Sequence, residues 1–446
     1  MIKKVFCIVL FLMSETSSTK DFKSLLKEVN TTRVKELTSS YGIKFWYHRD
    51  NSAPLVNVAI AFKNCGASHM EKAKKSVPDL YSNTVFLGCE KYSKEEFLGK
   101  LQNISVKLYC NACLDNVVFY YKYPKVVADE AIDLLLTALK SPKFEKKEVE
   151  KNKNWLAYSL ETYQDNPSFW YKYVMMPKIL FKNHPYGDSL GNSEEVLKLD
   201  RSDLESFHKN YIVRNNVEIC VFGDISETEA IELADKILAR IPQGNKFPDT
   251  IRDIEIKLQN FSRNFYYEGP QSYILFTLPN VLESSERKFA ATVLYLILGG
   301  YSFGFKNRIM KKLRSELGLI YGGGIHKVEH KHSCFSVGVL QTSNKNVDTA
   351  ISEIKLILKQ LKENGISQEE LGFAKSNIKG SFLVGLRTAE DLCYFYITKK
   401  LQGYSLNALE EFLQGIDSVN LEQVNSIAKE LLDENNLPIV VIGGKQ

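Results

Sequence analysis

Apolar residues at positions 77, 80, 81 and 85 recur at helical spacing through SVPDLYSNTVFLG (76–88), which predicts a short buried helix ending at Gly88. Ser76 stands where a cap would, with Asp79 three residues on, and Pro78 is tolerated in a first turn. The segment is odd in one respect. Asp79, Ser82 and Asn83 are small polar residues where a packed helix prefers apolar ones, so they either face solvent or mark what remains of a site.

Elsewhere the pattern alternates between two periods. PLVNVAIAF (54–62), VVFYYKY (117–123) and VEICVFGD (217–224) read as strands, while VADEAIDLLLTALK (127–140) and SETEAIELADKILARI (226–241) read as amphipathic helices. The series then starts again. SYILFTL (272–278), SCFSVGVLQ (333–341) and LPIVVIGG (437–444) are strand-like, with helices predicted at 286–300 and 346–364. NNVEICVFGD at 215 returns as NNLPIVVIGG at 435, each preceded by a helix, at 200–213 and 417–432; the long helices at 144–160 and 366–384 form a third echo. A repeat of about 220 residues is far longer than a solenoid unit, so the chain is a duplication. Hairpin-like strands followed by helices predict an α+β fold, two domains each with helices on a mostly antiparallel sheet. The boundaries expected are 21–242 and 259–446, joined by a linker at 243–258 within RIPQGNKFPDTIRD and the residues after it.

Composition adds limits. At 446 residues, 44% hydrophobic and 25% charged, the chain can bury large cores. A net charge of +5, spread along the chain, argues for neither nucleic acid nor an anionic membrane. The start, MIKKVFCIVLFLMSETSSTKD, has two lysines, a short apolar run and small polar residues: a cleavable signal peptide over 1–20, too short to span a bilayer, which implies a periplasmic or exported protein. An organellar or cytoplasmic setting is the alternative. Of eight cysteines, Cys110 and Cys113 alone are close; no second pair completes a zinc ribbon and they precede a strand, so they read as buried small hydrophobes, with an oxidised pair the alternative in an exported protein.

HKVEH (326–330) has the form of an inverted zinc motif, but three glycines precede it and strand alternation follows. In a strand His326 and His330 stand about 13 Å apart with Glu329 on the other face, and cannot share one tetrahedral zinc. His330 and His332 then read as solvent-facing hairpin residues. HPYGDSLGN (184–192) reads as a turn, and Arg314 and Tyr321 flank SELGLI.

Taken together, the duplicated halves, HPYGDSLGN, KNWLAYSLETYQDNP (153–167) and LRSELGLIYGGG (313–324) resemble the insulinase or pitrilysin metallopeptidases. The likeness is strongest to half-length subunits similar to mitochondrial processing peptidase and the bacterial heterodimeric peptidases, and covers nearly the whole chain after the leader. In that family a helix with a VFLG-like end carries His-x-x-Glu-His; the resemblance puts those positions on Asp79, Ser82 and Asn83, and a later glutamate ligand on Ser159, 76 residues beyond Asn83. Three strong ligands and a general base are needed for catalytic zinc, and here the set holds one carboxylate. A hard cation on Asp79 and Asn83 would lack the carboxylates such sites need. The resemblance further implies that Arg314 and Tyr321 bind the substrate backbone and a developing oxyanion across a cavity, that Asn111 and Ala112 on an edge strand pair with an extended peptide, and that Gly299 and Gly300 begin a glycine-rich loop.

Three readings follow. The first is a non-catalytic subunit without a cofactor of its own, enclosing a substrate cavity with a zinc-bearing homologous subunit that cleaves extended or unfolded peptides. The second is a scaffold or peptide-binding protein of the same fold, with a homodimer as one arrangement. The third is a self-sufficient peptidase that uses the histidines at 326–332.

Overall fold

The computed structural model describes residues 34–162, 165–166, 169–188 and 190–444; the leader at 1–20 lies outside the described residues. Strands β1 (Lys35–Thr38), β2 (Lys44–Arg49), β3 (Leu55–Phe62), β4 (Lys107–Ala112), β5 (Val117–Pro124) and β6 (Val217–Gly223) form one sheet in the order β1-β2-β6-β3-β5-β4. The second sheet, of β7 (Ser262–Phe265), β8 (Gln271–Pro279), β9 (Ile320–His330), β10 (Ser333–Ser343) and β11 (Ile439–Gly443), has the order β7-β11-β8-β10-β9. Without β1 the two orders coincide. Each sheet has one parallel pair at the same place, β2 with β6 and β7 with β11, and is antiparallel elsewhere. The α+β class and the duplication are therefore as expected, and all strands of the first sheet precede 243–258 while those of the second follow it.

β3 is apolar on both sides because both faces of its sheet are covered. Val56, Val58, Ile60 and Phe62 face a core closed by helices of the first half. Ala59 and Ala61 face the other way, with Trp46, Cys220 and Phe222, against Leu392, Cys393, Tyr396 and Ile397 of the Ala389–Leu401 helix, which belongs to the second half. The exchange is reciprocal: Tyr171, Met176, Phe181 and Tyr186 of the first half cover Leu275, Phe335, Val337 and Val440 of the second sheet. The sheets divide at the joint, but two of the cores are built by both halves.

The joint itself carries neither helix nor strand, yet it is tied down. Asn64 Nδ2 donates to Phe247 O at 2.7 Å, Phe247 N to Asn216 Oδ1 at 3.0 Å and Ile254 N to His332 O at 2.9 Å, while Ile251 is buried.

In the Val77–Thr84 helix, Val77, Leu80 and Tyr81 are buried, with Val85 just beyond. Ser76 does not cap it. Its backbone is already helical (φ −87°, ψ 0°), so its hydroxyl donates instead to Leu190 O at 3.0 Å. The helix also stops short of Gly88, which sits at φ +109° where the chain turns away. Among the described residues no helix is long and apolar enough to cross a membrane.

Candidate functional site

Asp79 lies in the first turn of the Val77–Thr84 helix, which packs on the Lys146–Thr162 helix carrying Ser159. The structure thus brings the four aligned positions onto two adjoining helices. Three of them are spent on their own backbone: Ser82 Oγ and Asn83 Nδ2 each donate to Asp79 O at 2.8 Å, and Ser159 Oγ donates to Trp155 O at 2.8 Å. The Asp79 carboxyl has neither a hydrogen-bond nor an ion-pair partner among the described residues. Burial pushes its pKa up to about 6. One carboxylate with two hydroxyls and an amide does not fit catalytic zinc, which takes three strong nitrogen, sulfur or carboxylate ligands, and Ser82 offers no general base. No group of three or more His, Cys, Asp or Glu side chains converges elsewhere among the described residues.

Asp79 lines a cavity of about 370 Å³ between the two halves of this one chain. The first half supplies residues 112–116, Tyr120, Lys172 and Tyr173 to its lining; the second supplies Glu329 to Lys331 at the end of β9, with Thr398 and Gln402. Asp115 is buried at its edge. Ser68 Oγ donates to it at 2.9 Å, Tyr186 OH reaches both oxygens, and His69 Nε2 stands 3.6 Å away. Desolvation opposes ionisation of Asp115, but these neighbours outweigh it and hold its pKa below the usual carboxylate range.

The histidines of HKVEH do lie on a strand, and they part company. His326 packs on the Tyr301 ring at 4.4 Å, whereas His330 lines the cavity against Tyr186, and burial lowers its pKa to about 4. The expectation that His330 and His332 face solvent is corrected. His332 leaves the strand at the β9–β10 turn, where its ring nitrogens meet Asp249 and Asp253 of the joint, each at 2.8 Å. Local alternation fixes which way a strand residue points, but not that another half of the chain covers it. Cys113 likewise is exposed in the β4–β5 turn, not a buried apolar residue, and both it and Cys110 are free thiols.

Arg314 and Tyr321 meet, but not at this cavity. The Arg314 guanidinium donates to the main-chain oxygen of Tyr321 and lies 5.1 Å from the Phe305 ring centre, and Tyr321 is 52% exposed. Tyr321 is near the start of β9 and His330 at its end, nine residues or about 30 Å along the strand. Asn111 and Ala112 do sit on an edge: β4 pairs with β5 on one side, and no strand among the described residues covers the other. Gly299 and Gly300 end the Lys288–Gly299 helix against β9, where a Cβ on Gly299 would stand 2.9 Å from Ile325 Cδ1. They serve close packing there.

The sequence did not reveal that Tyr186, read as a turn residue, links Asp115 to the second half, nor that Lys172 and Tyr173 line the cavity. Their segment carried no motif, and an apolar tyrosine before a glycine gives no sign of a distant carboxylate.

A duplicated α+β chain whose halves roof each other, with no convergent metal-ligand set among its described residues, defines the fold of a metallopeptidase homologue. The chain belongs to the insulinase family: residues 44–194 match the family described as Insulinase (Peptidase family M16), and residues 198–378 match the Peptidase M16 inactive domain. Among curated relatives, the non-peptidase homolog YmxG of Helicobacter pylori is 24% identical over 407 residues, covering 90% of this chain and 91% of the relative. The uncharacterized zinc protease YmxG of Bacillus subtilis is 22% identical over 404 residues, covering 90% and 96%. Among solved structures, the peptidase M16 inactive domain from Pseudomonas fluorescens superimposes with a TM-score of 0.84 at 20% identity, over 93% of this chain and 98% of that one; the likeness there is one of fold.

Proposed function

We propose that this chain is a non-catalytic member of its family that completes a peptidase in company with a zinc-bearing homologous subunit, binding extended or unfolded peptide without cleaving it. The observation that carries the reading is a separation within one molecule. Of the positions matched to zinc ligands three are spent on their own backbone and the fourth, Asp79, is a single carboxylate, while Arg314 and Tyr321 stand on the surface about 30 Å along β9 from the Asp79 cavity. A pair so placed does not serve this chain's own cavity; it suits a catalytic centre presented by a second subunit. Arg is a permanent multi-donor cation and Tyr a neutral donor, the groups that steady a peptide carbonyl as it becomes an oxyanion. The free edge of β4 at Asn111 and Ala112 offers main-chain pairing to the same substrate. The name of the Helicobacter relative supports the absence of catalysis, and the leader supports export to the periplasm.

A scaffold role is favoured by one observation: the Arg314 guanidinium is already committed to the Tyr321 carbonyl and the Phe305 ring. Pull-down of the tagged protein from its native cells separates the two. Zinc and chelator-sensitive cleavage of an unfolded polypeptide that travel with a His-x-x-Glu-His relative, and fall at least about tenfold with Arg314→Ala, support the paired peptidase. Protein recovered alone and inert, or a complex indifferent to Arg314→Ala and Tyr321→Ala, supports the scaffold.

A further inference from the structure

We propose that the degenerate zinc pocket is a subsite for a positively charged side chain, an ammonium or guanidinium group held by Asp79, on a peptide lying along the free edge of β4. The proposal deepens the peptide-binding reading above and rests on it.

Four observations carry it. The cavity, about 370 Å³, falls within the range of about 300–1,000 Å³ typical of ligand clefts. Its other carboxylates are already answered: Glu329 by Lys327 at 2.7 Å and Gln402 at 2.6 Å, and Asp115 by Tyr186 and Ser68. Asp79 is not. Of the two lysines in the lining, Lys331 pairs with Asp249 at 2.5 Å, and Lys172 holds its Nζ 4.9 Å from the Tyr173 ring centre without an ion pair to Asp79. A carboxyl left without a cation in a desolvated place is unfavourable in its charged form, and a ligand that brings the cation recovers that free energy.

Position completes the argument. Ala112 is both a residue of the free edge and part of the cavity lining. A strand added there sends alternate side chains to opposite faces, so one of them is directed toward the cavity mouth beside Cys113, which is exposed. The apolar stem of lysine or arginine suits Tyr120 and Tyr173 while its head meets Asp79.

The test is fluorescence anisotropy of a short unstructured peptide with one lysine, and of its norleucine analogue, against the full chain and its Asp79→Asn variant. The variant is isosteric and circular dichroism checks its fold. The lysine peptide is expected to bind at least about tenfold more tightly than the norleucine peptide to the wild type, and the preference to vanish in Asp79→Asn while norleucine affinity stays the same. A lysine preference that survives in Asp79→Asn, or none in the wild type, overturns the subsite but leaves peptide binding standing. If neither peptide binds, the peptide reading fails, and butylammonium alone decides the subsite by whether it lowers the pKa of Asp79 in carboxyl NMR; no shift overturns it.

Discussion

The hydroxyl of Tyr186 donates to both oxygens of Asp115, at 3.0 and 2.9 Å, and accepts from the backbone N of His332 at 3.3 Å. One phenol thus joins the β4–β5 turn of the first sheet to the β9–β10 turn of the second, and His332 passes the connection to Asp249 and Asp253 of the joint. Tyr186 and Asp115 are both buried, so losing the phenol takes a donor from a largely desolvated carboxylate. Tyr186→Phe should therefore lower the unfolding free energy by about 1.5–3 kcal/mol, the range for a hydrogen bond to a charged group, read from denaturant midpoints at constant slope.

Asp79 acts on stability in the opposite sense. An acid whose pKa is raised in the fold, here to about 6 from 3.8, is penalised progressively as the pH rises from the unfolded value, fully above the folded one, and is relieved below the unfolded one. Asp79→Asn should be more stable than the wild type by about 2 kcal/mol at pH 7.5, and the two melting curves should converge as the pH falls toward 4. A constant difference across that range would mean that the carboxyl is solvated.

Two neighbouring glycines should answer differently to alanine. Gly323 sits at φ +142°, pairs with Leu340, and a Cβ there would collide with the Val339 carbonyl oxygen. At Gly322 a Cβ meets only Arg314 Nη1, at an ordinary 3.5 Å. Gly323→Ala is expected to destabilise by about 2–4 kcal/mol and Gly322→Ala by less than about 1 kcal/mol, measured by thermal or chemical unfolding.

The degenerate positions can be tested by restoration. In a helix, residues 79 and 83 share a face, and the helix bearing Ser159 packs beside them. The combination Asp79→His, Ser82→Glu, Asn83→His and Ser159→Glu should bind close to one zinc per chain after dialysis, by atomic absorption, where the wild type retains none at that affinity. A folded variant that holds no zinc would show that these residues are not the family's ligand positions.

Much was legible in the chain alone. Two-residue and 3.6-residue periods marked β3, β5, β6, β8, β10 and β11 and the helices between them, since each period states which face of an element is apolar. The repeat at 215 and 435 became the two equivalent sheets. That Asp79, Ser82, Asn83 and Ser159 offer one carboxylate between them was likewise a matter of residue types, which folding cannot alter.

Only the tertiary structure decided what covers each apolar face and what each polar group meets. The apolar run of β3 marked a strand, but not that the helix covering its second face comes from residues 389–401, more than 300 positions away. Tyr186 owes its burial to contacts between halves, and His330 packs against its ring. Ser76 lost its cap to a carbonyl at 190, and Arg314 turned to the Tyr321 carbonyl of β9, away from the cavity. A periodic pattern is a property of neighbours in sequence, whereas burial, pairing and pKa are set by neighbours in space, and in this chain the decisive ones are supplied across the duplication.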